Sequence, residues 1–176
     1  EIMAFSPGTD GPVTGQIAVP PADLSAENVN EWLGTLKGKF IMMSPPEAMC
    51  RASQELEANA RPETVEKLQR ERREMQGMWN ARLSVIGSRR DRDAIIDSAG
   101  VAGVLTSRWS GGWGVNKVFS TSSKRAVAVD IGCEDYGLLY RLSQSGHTPT
   151  LRINAEMSFT GTVPQFNVVG QITGSE

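Results

Sequence analysis

Leu151, Ile153, Ala155, Met157 and Phe159 alternate with Arg152, Asn154, Glu156 and Ser158. A strict period of two puts one set on a buried face and the other on a wet face. The spacing predicts a strand over 151–159, in an antiparallel or edge position. Other strands announce themselves as short apolar runs between glycine or proline. These are "GKFIMMS" at 38–44, "VAGVLTS" at 101–107 and "AVAVDIG" at 126–132. A lone strand is expected from Val13 to Val19, stopped by Pro20-Pro21, which cannot donate to a ladder. "RLSVIG" at 82–87 reads as a further short strand. Phe166 to Ile172 reads as the last, with Val168, Gly170 and Ile172 on one face and Val169 and Gln171 on the other.

Helical spacing appears in four places. Val29, Trp32, Leu33 and Leu36 form one stripe, with Asp23 or Ser25 as candidate cap and Gly34 or Gly38 as candidate stop. Between 45 and 81 a charged helical insertion is expected. Pro62 opens its better-defined half, and Val65, Leu68, Met75 and Trp79 lie near one stripe with Met78 beside it. Glu63–Lys67 and Glu66–Arg70 are spaced as supporting i,i+4 pairs. "DRDAIIDSAG" at 91–100 predicts a helix capped by Asp91 and closed by Gly100. "EDYGLLYRLSQSG" at 134–146 predicts another, with acidic residues in its first turn and Gly146 as its stop.

Composition narrows the classes. A chain of 176 residues with 39% hydrophobic and 22% charged residues suits one soluble globular domain. The net charge of −2 carries no basic field for nucleic acid, and no apolar run approaches the roughly 18 residues of a membrane span. The chain begins at Glu1 rather than Met, as expected of a processed or excised piece. Cys50 and Cys133 have no metal-like spacing; a disulfide and two buried thiols both fit.

The same residues offer little catalytic chemistry. The single histidine, His147, follows Ser145-Gly146 in a turn, and no G-x-S-x-G elbow accompanies it. Scattered carboxylates do not converge as zinc ligands would. Glu134-Asp135 is explained by its place at a helix start. "SGGWG" at 110–114 lacks the spacing of a phosphate loop. The chain is therefore expected to have no catalytic, cofactor or metal residue of its own. One stretch is placed for contact: "SRWSGGWGVN", 107–116, in which Arg108, Trp109 and Trp113 form a candidate contact loop at a sheet rim. Tryptophans folded back over the core are the competing reading.

The order of these elements resembles a known family. "LKGKFIMMS" is similar to the opening core strand of protease-associated domains, and "RDAIIDSAGVAGVLTS" resembles their next helix and strand. "AVAVDIGCEDYGLLYRLSQSGHTPTLRINAEMSF" is similar to the strand, helix and closing strand that follow. "FNVVGQITGSE" resembles the N-V-[VI]-A strand of family-28 zinc metallopeptidases, with Gly170 where alanine is usual. Residues 38–44 and 82–176 carry the resemblance; residues 1–37 fit only as a lead-in.

The resemblance implies a mixed α/β fold, a protease-associated open β-barrel or sheet flanked by short helices, with residues 45–81 as a helical insertion. It implies a domain over 1–165, with 166–176 beginning a peptidase domain that lies beyond it. It also implies a secreted, periplasmic or extracellular location, and zinc in the peptidase domain alone. The expected partners are the chain's own peptidase domain, a peptide substrate or another protein, and a second copy through the 166–172 strand. No nucleic acid or membrane partner is expected. The expected role is non-catalytic, shaping or covering a zinc aminopeptidase or carboxypeptidase cleft. The alternative is a free-standing peptide- or glycan-binding module using the Trp109/Trp113 loop.

Overall fold

The computed structural model describes residues 1–88, 91–111, 115–162, 164 and 166–172. The elements in chain order are β1 (Val13–Ala18), α1 (Val29–Gly34), β2 (Phe40–Met42), α2 (Ser53–Asn59), α3 (Pro62–Ile86), α4 (Arg92–Ser98), β3 (Gly103–Thr106), β4 (Trp109–Ser110), β5 (Val115–Asn116), β6 (Val127–Asp130), α5 (Cys133–Gln144) and β7 (Thr150–Ile153). The fold is mixed α/β, a curled open sheet with several helices. The main sheet has the order β6-β3-β2-β1-β7, and β4 pairs with β5 in a separate hairpin.

β1, β2, β3 and β6 run parallel, and β7 closes the sheet antiparallel to β1. β1 serves two neighbours with its two halves: Val13 to Gln16 face β7, while Ile17 and Ala18 face β2. This split lets the sheet curl. Along β2 and β3 every residue is buried, so both faces are covered and the sequence shows apolar runs instead of alternation. β7 alternates exposed and half-buried residues, as the period-two pattern requires of an edge. Gly103 is demanded by packing: a Cβ there would lie 2.7 Å from the Phe40 ring and 2.9 Å from the Val127 carbonyl. The core gathers Phe40, Ile41, Met42, Leu105, Val127, Tyr136 and Trp79.

The N-terminal residues lie along the outer side of β6. Ile2 bridges Val129, and the Met3 amide donates to the Ala128 carbonyl at 2.9 Å.

Three expectations need correction. Residues 82–87 are not a strand. They are the end of α3, because Leu83 and Ile86 continue the stripe of Trp79 at helical spacing and all three are buried. Strand 151–159 is shorter than its pattern, ending at Ile153. Its partner β1 begins at Val13, after Gly11-Pro12, and proline can extend no ladder. Beyond it Ala155 is still held, donating to the Thr9 hydroxyl at 2.8 Å, but Met157 and Phe159 are exposed. Residues 166–172 form no strand: Phe166, Val168, Val169 and Ile172 are between 85% and 98% exposed. The side-chain pattern fits a strand, but among the described residues no sheet edge takes up its backbone.

The caps also differ in detail. α1 starts after Asn28, whose side-chain carbonyl accepts from the Ser25 amide at 2.8 Å; neither Asp23 nor Ser25 is the cap residue. Asp91 stands at the start of α4, but its carboxylate accepts from Ser88 Oγ at 2.6 Å instead of capping the helix. Pro62 opens α3, and Gly100 and Gly146 take left-handed conformations just past α4 and α5, as expected. On α3, Lys67 pairs with Glu71 at 3.8 Å; neither Glu63–Lys67 nor Glu66–Arg70 is an ion pair among the described residues.

Candidate functional site

In open sheets of parallel strands, sites gather beyond the strands' carboxyl ends. Here those ends carry the Trp109 hairpin, and a buried aspartate fixes it. Asp130 closes β6 and is 3% exposed. One of its oxygens accepts from Thr106 Oγ1 at 3.2 Å and from the Arg108 amide at 3.1 Å. The other accepts from the Asn116 side chain, which also donates to the Ile131 carbonyl at 2.6 Å. Both arms of the β4-β5 hairpin therefore hang from one carboxylate. A buried charge is tolerable when donors satisfy it in this way.

A second polar knot lies beside it. The Tyr136 hydroxyl, on α5, donates to the Ser44 carbonyl at 2.7 Å and accepts from the Ser44 amide at 3.1 Å. Ser44 Oγ accepts from the Ser107 amide at 2.7 Å. The knot ties the ends of β2 and β3 to α5. Burial pushes the Tyr136 phenol well above the ordinary tyrosine range.

The candidate contact residues can now be placed. Arg108 is half-buried with its guanidinium 5.3 Å from the centre of the Phe119 ring, a cation–π contact. Trp109 is half-buried in β4, paired with Asn116. Trp113 lies outside the described residues. Trp109 shares the walls of a hollow of about 60 Å³ with Leu56 of α2, Val65, Leu68 and Arg72 of α3, and Glu47. That is well below the roughly 300 Å³ at which small-molecule pockets begin. At its rim the Glu47 carboxylate takes two bonds from the Arg72 guanidinium, at 2.9 and 3.0 Å. The Ser53 amide donates to the Gly111 carbonyl. Gly111 admits this approach, since a Cβ there would meet Ser53 Oγ at 3.0 Å and the Arg72 guanidinium at 3.1 Å.

Cys50 and Cys133 are joined in a disulfide, one of the two alternatives the sequence left open. It ties the segment after β2 to the first residue of α5. His147 is exposed past the end of α5. Glu134 and Asp135 stand in the first turn of α5, as expected, although Gly132 is the cap residue. Among the described residues no group of three or more His, Cys, Asp or Glu side chains could hold a metal ion. No helix among them is long and apolar enough to cross a membrane.

Sequence reasoning did not single out Asp130, Ser44 or Asn116, and gave Tyr136 no polar role. One signal was present: a charge inside the apolar run "AVAVDIG" must be exposed or satisfied, and here it is satisfied. Searches against family models, curated proteins and solved structures gave no match for this chain.

Proposed function

We propose that this chain is the non-catalytic protease-associated domain of a zinc aminopeptidase or carboxypeptidase of family 28, exported from the cytoplasm, and that it shapes or covers the cleft of the peptidase domain that follows it. The observation that carries this reading is the apolar run leaving the sheet. Met157, Phe159, Phe166, Val168, Val169 and Ile172 are all exposed. So many exposed large apolar side chains in one segment suit a partner surface. The segment "FNVVGQI" is patterned for a strand and is similar to the first strand of such a peptidase domain. Phe5 adds to it. It is the one non-glycine residue with positive φ among the described residues, at 62°, and it lines a shared hollow with Phe159.

The disulfide supports an oxidising compartment. The polar atoms of Asp130 and Tyr136 are engaged in holding the fold, which supports a non-catalytic role. The test is the reading frame beyond Glu176 together with the purified chain. The expected result is an H-x-D motif and acidic zinc ligands downstream, with no stoichiometric zinc and no aminoacyl hydrolysis in residues 1–176. A frame lacking those ligands, or aminopeptidase turnover by the chain itself, overturns the reading.

A further inference from the structure

The helical insertion is held in an unusual way. Between Met42 and Trp79 no residue is buried. α2 contributes no buried side chain, and α3 reaches the core through Trp79, Leu83 and Ile86, with Val85 packed beside them, all near its C-terminal end. The segment from Pro45 to Ala60 thus places no side chain in the buried core. Three ties hold it: the Cys50–Cys133 bond, the Glu47–Arg72 ion pair and the Ser53–Gly111 hydrogen bond. The ion pair is bidentate, but with Arg72 45% exposed it is open to screening, and a single hydrogen bond adds only about 1 kcal/mol. The hollow between this segment and the wall formed by Val65, Leu68 and Trp109 shows that the two sides do not interdigitate.

We propose that the Cys50–Cys133 bond is a redox latch. Closed, it holds residues 45–60, α2 included, as an arm against α3 and the Trp109 hairpin. Opened by a dithiol, it releases the arm and uncovers the apolar face of Val65, Leu68 and Trp109. The core is expected to stay closed, because Phe40, Ile41, Met42, Leu105 and Val127 are buried while no residue of 45–60 is. Cys50 is the more exposed of the two cysteines, Cys133 being 5% exposed, so attack falls on the Cys50 sulfur. The reagent's thiolate bonds to Cys50 Sγ, and Cys133 leaves as a thiolate and takes up a proton. The reagent's second thiol then displaces Cys50, giving two protein thiols and a cyclic disulfide, a transfer of two electrons and two protons. This inference is independent of the peptidase reading.

Hydrogen exchange read by mass spectrometry on the folded chain, with and without dithiothreitol, tests it. Local opening sets exchange at weakly held segments, so peptides over 45–60 and 107–111 should exchange about tenfold faster or more after reduction. Peptides over β2, β3 and β6 should not change. A doubly substituted chain, Cys50→Ser with Cys133→Ser, should match the reduced protein without reagent. Arg72→Gln in the oxidised chain should leave the arm protected. An arm that exchanges at the same rate in both states overturns the latch. So does equal loss of protection in arm and core, which would make the bond a staple for the whole fold, and so does release of the arm by Arg72→Gln alone.

Discussion

Asp97 shows how much one buried side chain can organise. It sits in α4, 8% exposed, and faces the loop that enters β6. One carboxylate oxygen accepts from Ser123 Oγ at 2.6 Å and the Ala126 amide at 3.2 Å; the other accepts from the Lys124 amide at 2.6 Å and the Arg125 amide at 3.3 Å. Removing it strands several donors at once. Asp97→Ala should therefore cost about 3 kcal/mol, and Asp97→Asn less, in urea unfolding. Tyr136 gives a prediction in pH. Burial holds its phenol protonated in the folded chain above the range where an unfolded tyrosine ionises. A folded pKa raised this way leaves stability intact below about pH 10, where unfolded tyrosine begins to titrate, and erodes it above that pH. The loss should approach about 1.4 kcal/mol per pH unit, and Tyr136→Phe should flatten that alkaline limb of urea midpoints. Neither role was legible in the sequence, because both depend on backbone donors brought together from segments far apart in the chain.

Elements were more legible than side-chain roles, and the misreading at 82–87 shows the limit. "RLSVIG" has β-branched residues and a terminal glycine, the local marks of a strand. The deciding information lay outside that window: Leu83 and Ile86 fall on the stripe that Trp79 already defines. A long-range stripe outweighs a short propensity signal because burial on it is cooperative along the helix. Leu83→Ala should cost about 2–5 kcal/mol by leaving a cavity. Met78→Ala, on the exposed side of the same helix, should change stability by no more than about 0.5 kcal/mol. Equal effects of the two, read by thermal or urea melts, would contradict the packing described. β7 taught the complementary lesson. Its alternation was read correctly, but its length is set by where β1 begins, which no pattern within 151–159 contains.

At the scale of the whole molecule the parallel order of β1, β2, β3 and β6 keeps the core continuous, Met3 included, while the side chains of Phe166, Val168, Val169 and Ile172 lie outside it. The buried runs made the central strands legible; the curl did not follow from them, because it arises from β1 dividing its pairing between β2 and β7. The disulfide spans a sequence separation of 83 and ties the segment after β2 to the head of α5. Among the described residues past Phe159 there is no comparable tie. Phe166, Val168, Val169 and Ile172 lie in solvent, so they bury nothing in the folded state and expose a surface for association. Ending the chain after Phe159 should then leave the urea midpoint unchanged within error. It should also lower binding of a hydrophobic dye and any self-association seen in sedimentation. A truncated chain with a clearly lower midpoint would mean that residues 160–172 pack on the sheet in solution, and that the apolar run is part of this domain's own core.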